Sequence, residues 1–164
     1  MNVSACKRDT VRVGSRHLPH RLALAGDDVE GFRRALREYF LATSDRYESL
    51  FETLACEEAW YERAIPLRHP LIFYYGHTAT FFVNKLLLAR LVEQRIDPHL
   101  ESIFAVGVDE MSWDDLDDTH YDWPAIAEVK AYRERVRELV TGIIEHAPLT
   151  LPVDWNHPWW TLVM

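Results

Sequence analysis

Histidine is the residue type most able to do chemistry in this chain. There are eight, and His77 stands apart from the rest. It lies in Phe73-Tyr74-Tyr75-Gly76-His77-Thr78-Ala79-Thr80-Phe81-Phe82, with Phe73, Phe81, Asn84 and Leu88 on or near its face at helical spacing. That pattern turns the imidazole toward a core. A neutral imidazole there is a good ligand for iron or zinc. It serves equally well as a core histidine hydrogen-bonded to a neighbour, and the residues alone leave both readings open. Gly76 beside it weakens a helix by about 1 kcal/mol relative to Ala, which a close helix approach would justify.

No local spacing completes a metal site. His-x-x-x-His, Glu-x-x-His and Cys-x-x-Cys are all absent. His69 is two helical turns from His77, and His120, His146 and His157 fall in connections or at helix ends. The acidic run Asp109, Glu110, Asp114, Asp115, Asp117, Asp118 and Asp122 suggests calcium. However, a calcium loop counted from Asp115 puts His120 where Gly is needed and Ile126 where Glu is needed. A solvated, cap-rich connection fits better. Arg133, beside an apolar stripe, is placed to pair with that acidic surface or with a substrate carboxylate. Nucleophile elbows, phosphate loops and dinucleotide fingerprints are absent.

The elements that must position these residues are helices. Apolar residues recur by threes and fours from Phe32 through Leu36, Phe40 and Tyr47 to Leu54, predicting one helix near 28–55 capped by Asp27 or Asp28. Pro70 opens a second near 70–92, and Asp122-Trp123-Pro124 a third near 124–146. Between them, Asp97-Pro98 marks a turn, His99–Ala105 a short helix, and Ser112-Trp113-Asp114-Asp115 a helical turn. Asn156-His157-Pro158 begins a fourth long helix of which the chain holds about two turns. The fold class expected is all-α, an up-and-down four-helix bundle with its fourth helix cut short. Residues 1–26 form a loose basic arm, and 27–164 the helical domain.

Composition bounds the partners. At 164 residues the chain is one domain, and 48% hydrophobic against 27% charged is the globular range. A net charge of −8 excludes the general electrostatic footprint of a nucleic-acid binder. Apolar runs are too short for a membrane span. Two cysteines, Cys6 and Cys56, make no disulfide framework, so a cytoplasmic protein with reduced thiols is expected.

Three stretches carry a resemblance. They are Pro66-Leu67-Arg68-His69-Pro70-Leu71-Ile72-Phe73-Tyr74-Tyr75-Gly76-His77-Thr78-Ala79, then Phe81-Phe82-Val83-Asn84-Lys85-Leu86, and Gly107-Val108-Asp109-Glu110-Met111-Ser112-Trp113-Asp114-Asp115. From about Tyr39 to Met164 the chain resembles the N-terminal DinB-like domain of the ovothiol-type 5-histidylcysteine sulfoxide synthases, relatives of the ergothioneine sulfoxide synthases. The resemblance implies a multidomain parent in which a DinB-like bundle precedes a formylglycine-generating-enzyme-type domain and often a methyltransferase. It implies non-haem iron(II), with cysteine, histidine and dioxygen as substrates, in ovothiol biosynthesis.

The resemblance gives His77 the role of one of three iron-binding histidines. It puts the other two on the fourth helix, as a His-x-x-x-His pair soon after the position of Met164. A chain ending there is expected to bind little or no iron and to be inactive alone. Its open bundle groove, lined by Tyr47, Phe81, Val136, Trp159 and Trp160, is expected to drive self-association. Two rivals stand beside this reading, a non-catalytic self-associating helical module and a stand-alone DinB-like metal-dependent thiol transferase.

Overall fold

The computed structural model describes residues 22–65, 68–105 and 122–164, and those residues are helical, with no strand among them. Six helices follow in order: α1 Val29–Phe51, α2 Glu58–Tyr61, α3 Leu71–Leu88, α4 Pro98–Ile103, α5 Ile126–His146 and α6 Trp160–Val163. The three long helices are those the apolar spacing predicts, and α1 passes Ser44 unbroken. The first 21 residues and the Ser112 turn lie outside the described residues, as does most of the acidic run.

Local chemistry sets the ends. Asp28 caps α1, its carboxylate accepting from the Gly31 amide at 2.7 Å. The far end closes at Phe51, short of residue 55, because Thr53 and Leu54 turn back tightly onto the carbonyls of Leu50 and Phe51. The short α2 that follows was not anticipated.

Helix α3 stops at Leu88 through a Schellman closure. Arg90 takes a left-handed φ of 57°, Leu91 N–H reaches the Leu86 carbonyl, and Arg90 N–H that of Leu87. Helix α5 starts at Ile126, two residues past Pro124. The extended Ala125 holds it back, and Tyr61 Oη donates to the Pro124 carbonyl at 3.2 Å.

Cross-helix contacts fix the directions. Along α1, Arg33, Arg37, Asp45 and Glu48 meet Ile144, Glu145, Arg137 and Arg133 of α5, so these helices are antiparallel. Phe40 and Glu48 likewise meet Phe82 and Tyr75, so α3 also runs against α1. Helices α3 and α5 are therefore parallel, so the order is up, down, down and not the simple up-and-down order expected from the sequence. A parallel pair needs a long crossover, which the chain from Ala89 through α4 to Ala125 supplies.

The core lies where α3 and α5 face each other. Ile72, Phe73, Val83, Val129, Tyr132 and Val140 are fully buried there. Helix α3 contacts α2, α4, α5 and α6, so it is the bundle's centre. Helix α4 is held from outside. Glu101, fully buried, accepts from the amides of Ile96 and Asp97 at 2.9 Å and pairs with Arg95 at 2.8 Å. Every oxygen of this buried carboxylate thus has a partner, as burial of a charge requires.

Candidate functional site

His77 is mid-way along α3, on the side facing the end of α4. Its Nδ1 is 2.7 Å from the Phe104 carbonyl oxygen. The ring stacks on Phe73, with centroids 5.4 Å apart and planes at 14°, and lies 6.2 Å from Phe81 one turn further on. The imidazole is partly exposed rather than sealed in the core. His77 is thus hydrogen-bonded to a neighbour, through Nδ1.

His69 occupies the other side of Phe73, at 4.2 Å. The spacing by fours thus interleaves the two histidines with a phenyl ring and keeps them from converging on one ion. Burial, helped by Arg63 and His77, lowers the His69 pKa and favours the neutral ring. Trp123 closes this aromatic cluster, 6.0 Å from both His69 and Phe73 and stacked on Phe104 at 6.4 Å.

Gly76 has a definite purpose here. A Cβ on residue 76 would come within 2.4 Å of the Phe104 ring. The close approach that Gly76 permits is thus made by the side chain ending α4, not by a long helix.

Among the described residues the acid that Arg133 meets is Glu48 of α1. Its guanidinium pairs with Glu48 of α1 at 2.6 Å and donates to Thr78 Oγ1 at 2.7 Å and to the Tyr75 carbonyl. It also lies over the rings of Tyr75 and Tyr47, at 4.3 and 5.0 Å. Tyr75 donates its hydroxyl to the same Glu48, and burial first, then Glu48, pushes the Tyr75 pKa up. Glu48 was missed in the sequence because nothing at that position distinguishes it from the exposed acids around it.

A cavity of about 190 Å³ opens beside this network between α1, α3 and α5, lined by Phe40, Thr43, Tyr47, Ala79, Phe82 and Val136. A second, of about 200 Å³, continues along α1 and α3 toward α6, where Tyr39, Phe81 and Met164 line it. Of the five residues expected to line one groove, Tyr47 and Val136 line the first cavity and Phe81 the second, while Trp159 and Trp160 line neither. Trp159 is 1% exposed, with its indole N–H donating to the Pro148 carbonyl at 2.8 Å.

The sequence match now has a structural frame. The profile of the DinB superfamily matches residues 39–162, most of the chain and all of α3 and α5. The chain belongs to the DinB superfamily. This DinB-superfamily chain is also similar to Ergothioneine biosynthesis protein 1 of Neurospora crassa, at 28% identity over 132 residues. The match covers 73% of the chain and 15% of that protein, so the chain spans a small part of the relative's length.

The described residues of this DinB-superfamily chain do not form a metal site by themselves. Among them no three His, Cys, Asp or Glu side chains gather to hold an ion. In His77 the Nδ1 is engaged by the Phe104 carbonyl, and Nε2 is the ring nitrogen outside that contact. Among the described residues, no helix is long and apolar enough to cross a membrane.

Proposed function

We propose that this chain is the N-terminal helical part of a non-haem iron(II)- and dioxygen-dependent sulfoxide synthase. The reaction joins the sulfur of cysteine to the imidazole of histidine, as in ovothiol biosynthesis. Removing one hydrogen from the thiol and one from the ring carbon forms the C–S bond. One oxygen atom goes to sulfur and the other leaves as water, so the overall reaction balances. The likeness to a fungal ergothioneine biosynthesis protein and the DinB-superfamily fold both support this class.

One observation carries the assignment of His77. Its Nδ1–H is spent on the Phe104 carbonyl, which leaves Nε2 as the lone-pair donor. Metal-binding histidines have this arrangement, with the second ring nitrogen tied to a carbonyl or carboxylate. One imidazole does not hold iron in an open site. Two more would come from a His-x-x-x-His pair on the helix that α6 begins. Without them the chain is expected to bind iron weakly and to be inactive alone. Iron would supply the dioxygen chemistry; this chain's part is to present one imidazole in a fixed pose.

The groove favours a second, compatible reading. Phe81 is 43% exposed beside a cavity rimmed by Tyr39 and Met164, which leaves an apolar strip between α1 and α3 for another helix. In the synthase that helix is the rest of the fourth; in the isolated chain it is a second copy.

The test of function uses the intact protein. Supplied with iron(II), dioxygen, cysteine and histidine, it should give the cysteine–histidine sulfoxide by mass spectrometry, and His77→Ala should abolish the product. An intact protein that forms no C–S bond from these substrates would exclude the ovothiol assignment.

A further inference from the structure

We propose that Gly76 and Phe104 are the positioning pair that fixes His77 in its Nδ1–H tautomer and so decides which ring nitrogen is offered outward. The proposal rests on the reading above only for what Nε2 takes. The tautomer itself needs no metal.

A backbone carbonyl oxygen can only accept a hydrogen bond. The 2.7 Å contact therefore requires the proton on Nδ1, and in the neutral ring the lone pair then belongs to Nε2. Free histidine in water prefers the opposite tautomer, with the proton on Nε2. The protein must therefore impose the form seen here, and the group imposing it is the Phe104 carbonyl.

That carbonyl is where it is because of the ring attached to the same residue. Phe104 is the residue that caps the end of α4, and it is fully buried. Its ring lies over Gly76, where three ring atoms would each be 2.4 to 2.5 Å from a Cβ. Real Cβ atoms do not tolerate such contacts, so any side chain at residue 76 pushes the ring and its backbone away from α3. The start of α4 is held in place, so the displacement falls on its Phe104 end. At its start Asp97 caps the Leu100 amide, and Glu101 is tied to Ile96, Asp97 and Arg95. On the far side of the ring, Trp123 stacks at 20°.

Phe73 completes the arrangement. Its ring lies nearly parallel to the imidazole, which restricts rotation about the His77 side chain. Glycine is otherwise a poor residue for the middle of a helix. Its presence at residue 76 is accounted for by the Phe104 approach, and the histidine that benefits is the next residue along.

The experiment is ring-nitrogen NMR of the ¹⁵N-labelled, metal-free chain at a pH where His77 is neutral, with His77→Gln assigning the signals. The wild-type ring should show a protonated Nδ1 and an unprotonated Nε2. Gly76→Ala should shift the population toward the Nε2–H form while circular dichroism shows helical content retained. Gly76→Ala/Phe104→Leu, which makes room again, should restore the wild-type pattern. Phe104→Ala, which introduces no clash, should also loosen the bond and raise the Nε2–H share; it serves if Gly76→Ala does not fold.

A wild-type ring carrying its proton mainly on Nε2 would overturn the proposal. So would a Phe104→Ala or folded Gly76→Ala chain that keeps the wild-type tautomer. A chain with the expected tautomer whose form extended by the His-x-x-x-His helix binds iron equally well without His77 supports the positioning role and removes the iron assignment instead.

Discussion

Arg33 of α1 stands over the indole of Trp159, its guanidinium carbon 5.3 Å from the ring centroid. The same guanidinium donates to the carbonyls of Ile144 and Ala147 at 2.7 and 2.6 Å. It therefore closes the open end of α5, where no glycine does so, and holds the residue from which α6 starts. Arg33 joins the third long helix to the beginning of the fourth.

Arg33→Ala leaves two carbonyls at the end of α5 without their charged donor and exposes the face of Trp159. Hydrogen bonds to charged groups are each worth about 1.5–3 kcal/mol. Urea unfolding should show a loss of about 2–3 kcal/mol, and Arg33→Lys should recover only part of it, because an ammonium lacks the fork. A loss below about 0.5 kcal/mol would mean that the α5 end is held by other contacts.

Arg90 gives a prediction of the opposite sign. Its left-handed φ of 57° is one that glycine adopts without cost. Arg90→Gly should raise stability by up to about 1 kcal/mol, read as a higher urea midpoint at unchanged slope. A fall in stability would show that the Arg90 side chain contributes more than its backbone costs.

The same residue explains what the sequence showed and what it hid. The apolar spacing of Phe32 and Leu36, of Ile72, Ala79, Val83 and Leu86, and of Val129, Tyr132, Val136 and Val140 is intrinsic to each helix, so the three long helices were legible. The end of α3 was not, because an arginine fills the left-handed position that normally announces itself as glycine. Trp159 looked like a groove residue because Arg33, 126 residues away, covers its ring, which no local pattern encodes. The site was half legible. His77 and Gly76 stood out by type, whereas Phe104 and Glu48 act through contacts separated by 27 and 85 residues, which no local pattern encodes.

Burial shapes the alkaline limb of stability. Tyr47, Tyr75 and Tyr132 all have raised pKa values, with burial the first cause in each. The folded state thus holds these protons after an unfolded chain releases them near pH 10. Their contribution is complete below that pH and is lost as pH rises toward the folded values. Tyrosinate absorbance for these three should therefore appear together with loss of helical circular dichroism. Complete ionisation of all seven tyrosines near pH 10 with helicity intact would contradict this.

The groove between α1 and α3 should make the chain associate with itself. Sedimentation is expected to show a concentration-dependent dimer or larger species, and Phe81→Glu should shift it toward monomer without loss of helicity. A wild-type chain that stays monomeric across concentrations and exposes no dye-binding apolar surface would count against an unfilled helix position.

The most direct test of the central claim, that His77 is one ligand of an iron site completed from the fourth helix, is iron(II) titration of two pairs of proteins. One pair is this chain and its His77→Ala variant; the other is the same two extended past Met164 by a helix bearing His-x-x-x-His. The extended chain should take up one iron, His77→Ala should weaken that binding at least tenfold, and the short chain should bind little. Tight stoichiometric binding by the short chain, or equal binding by the extended chain with and without His77, would contradict the account.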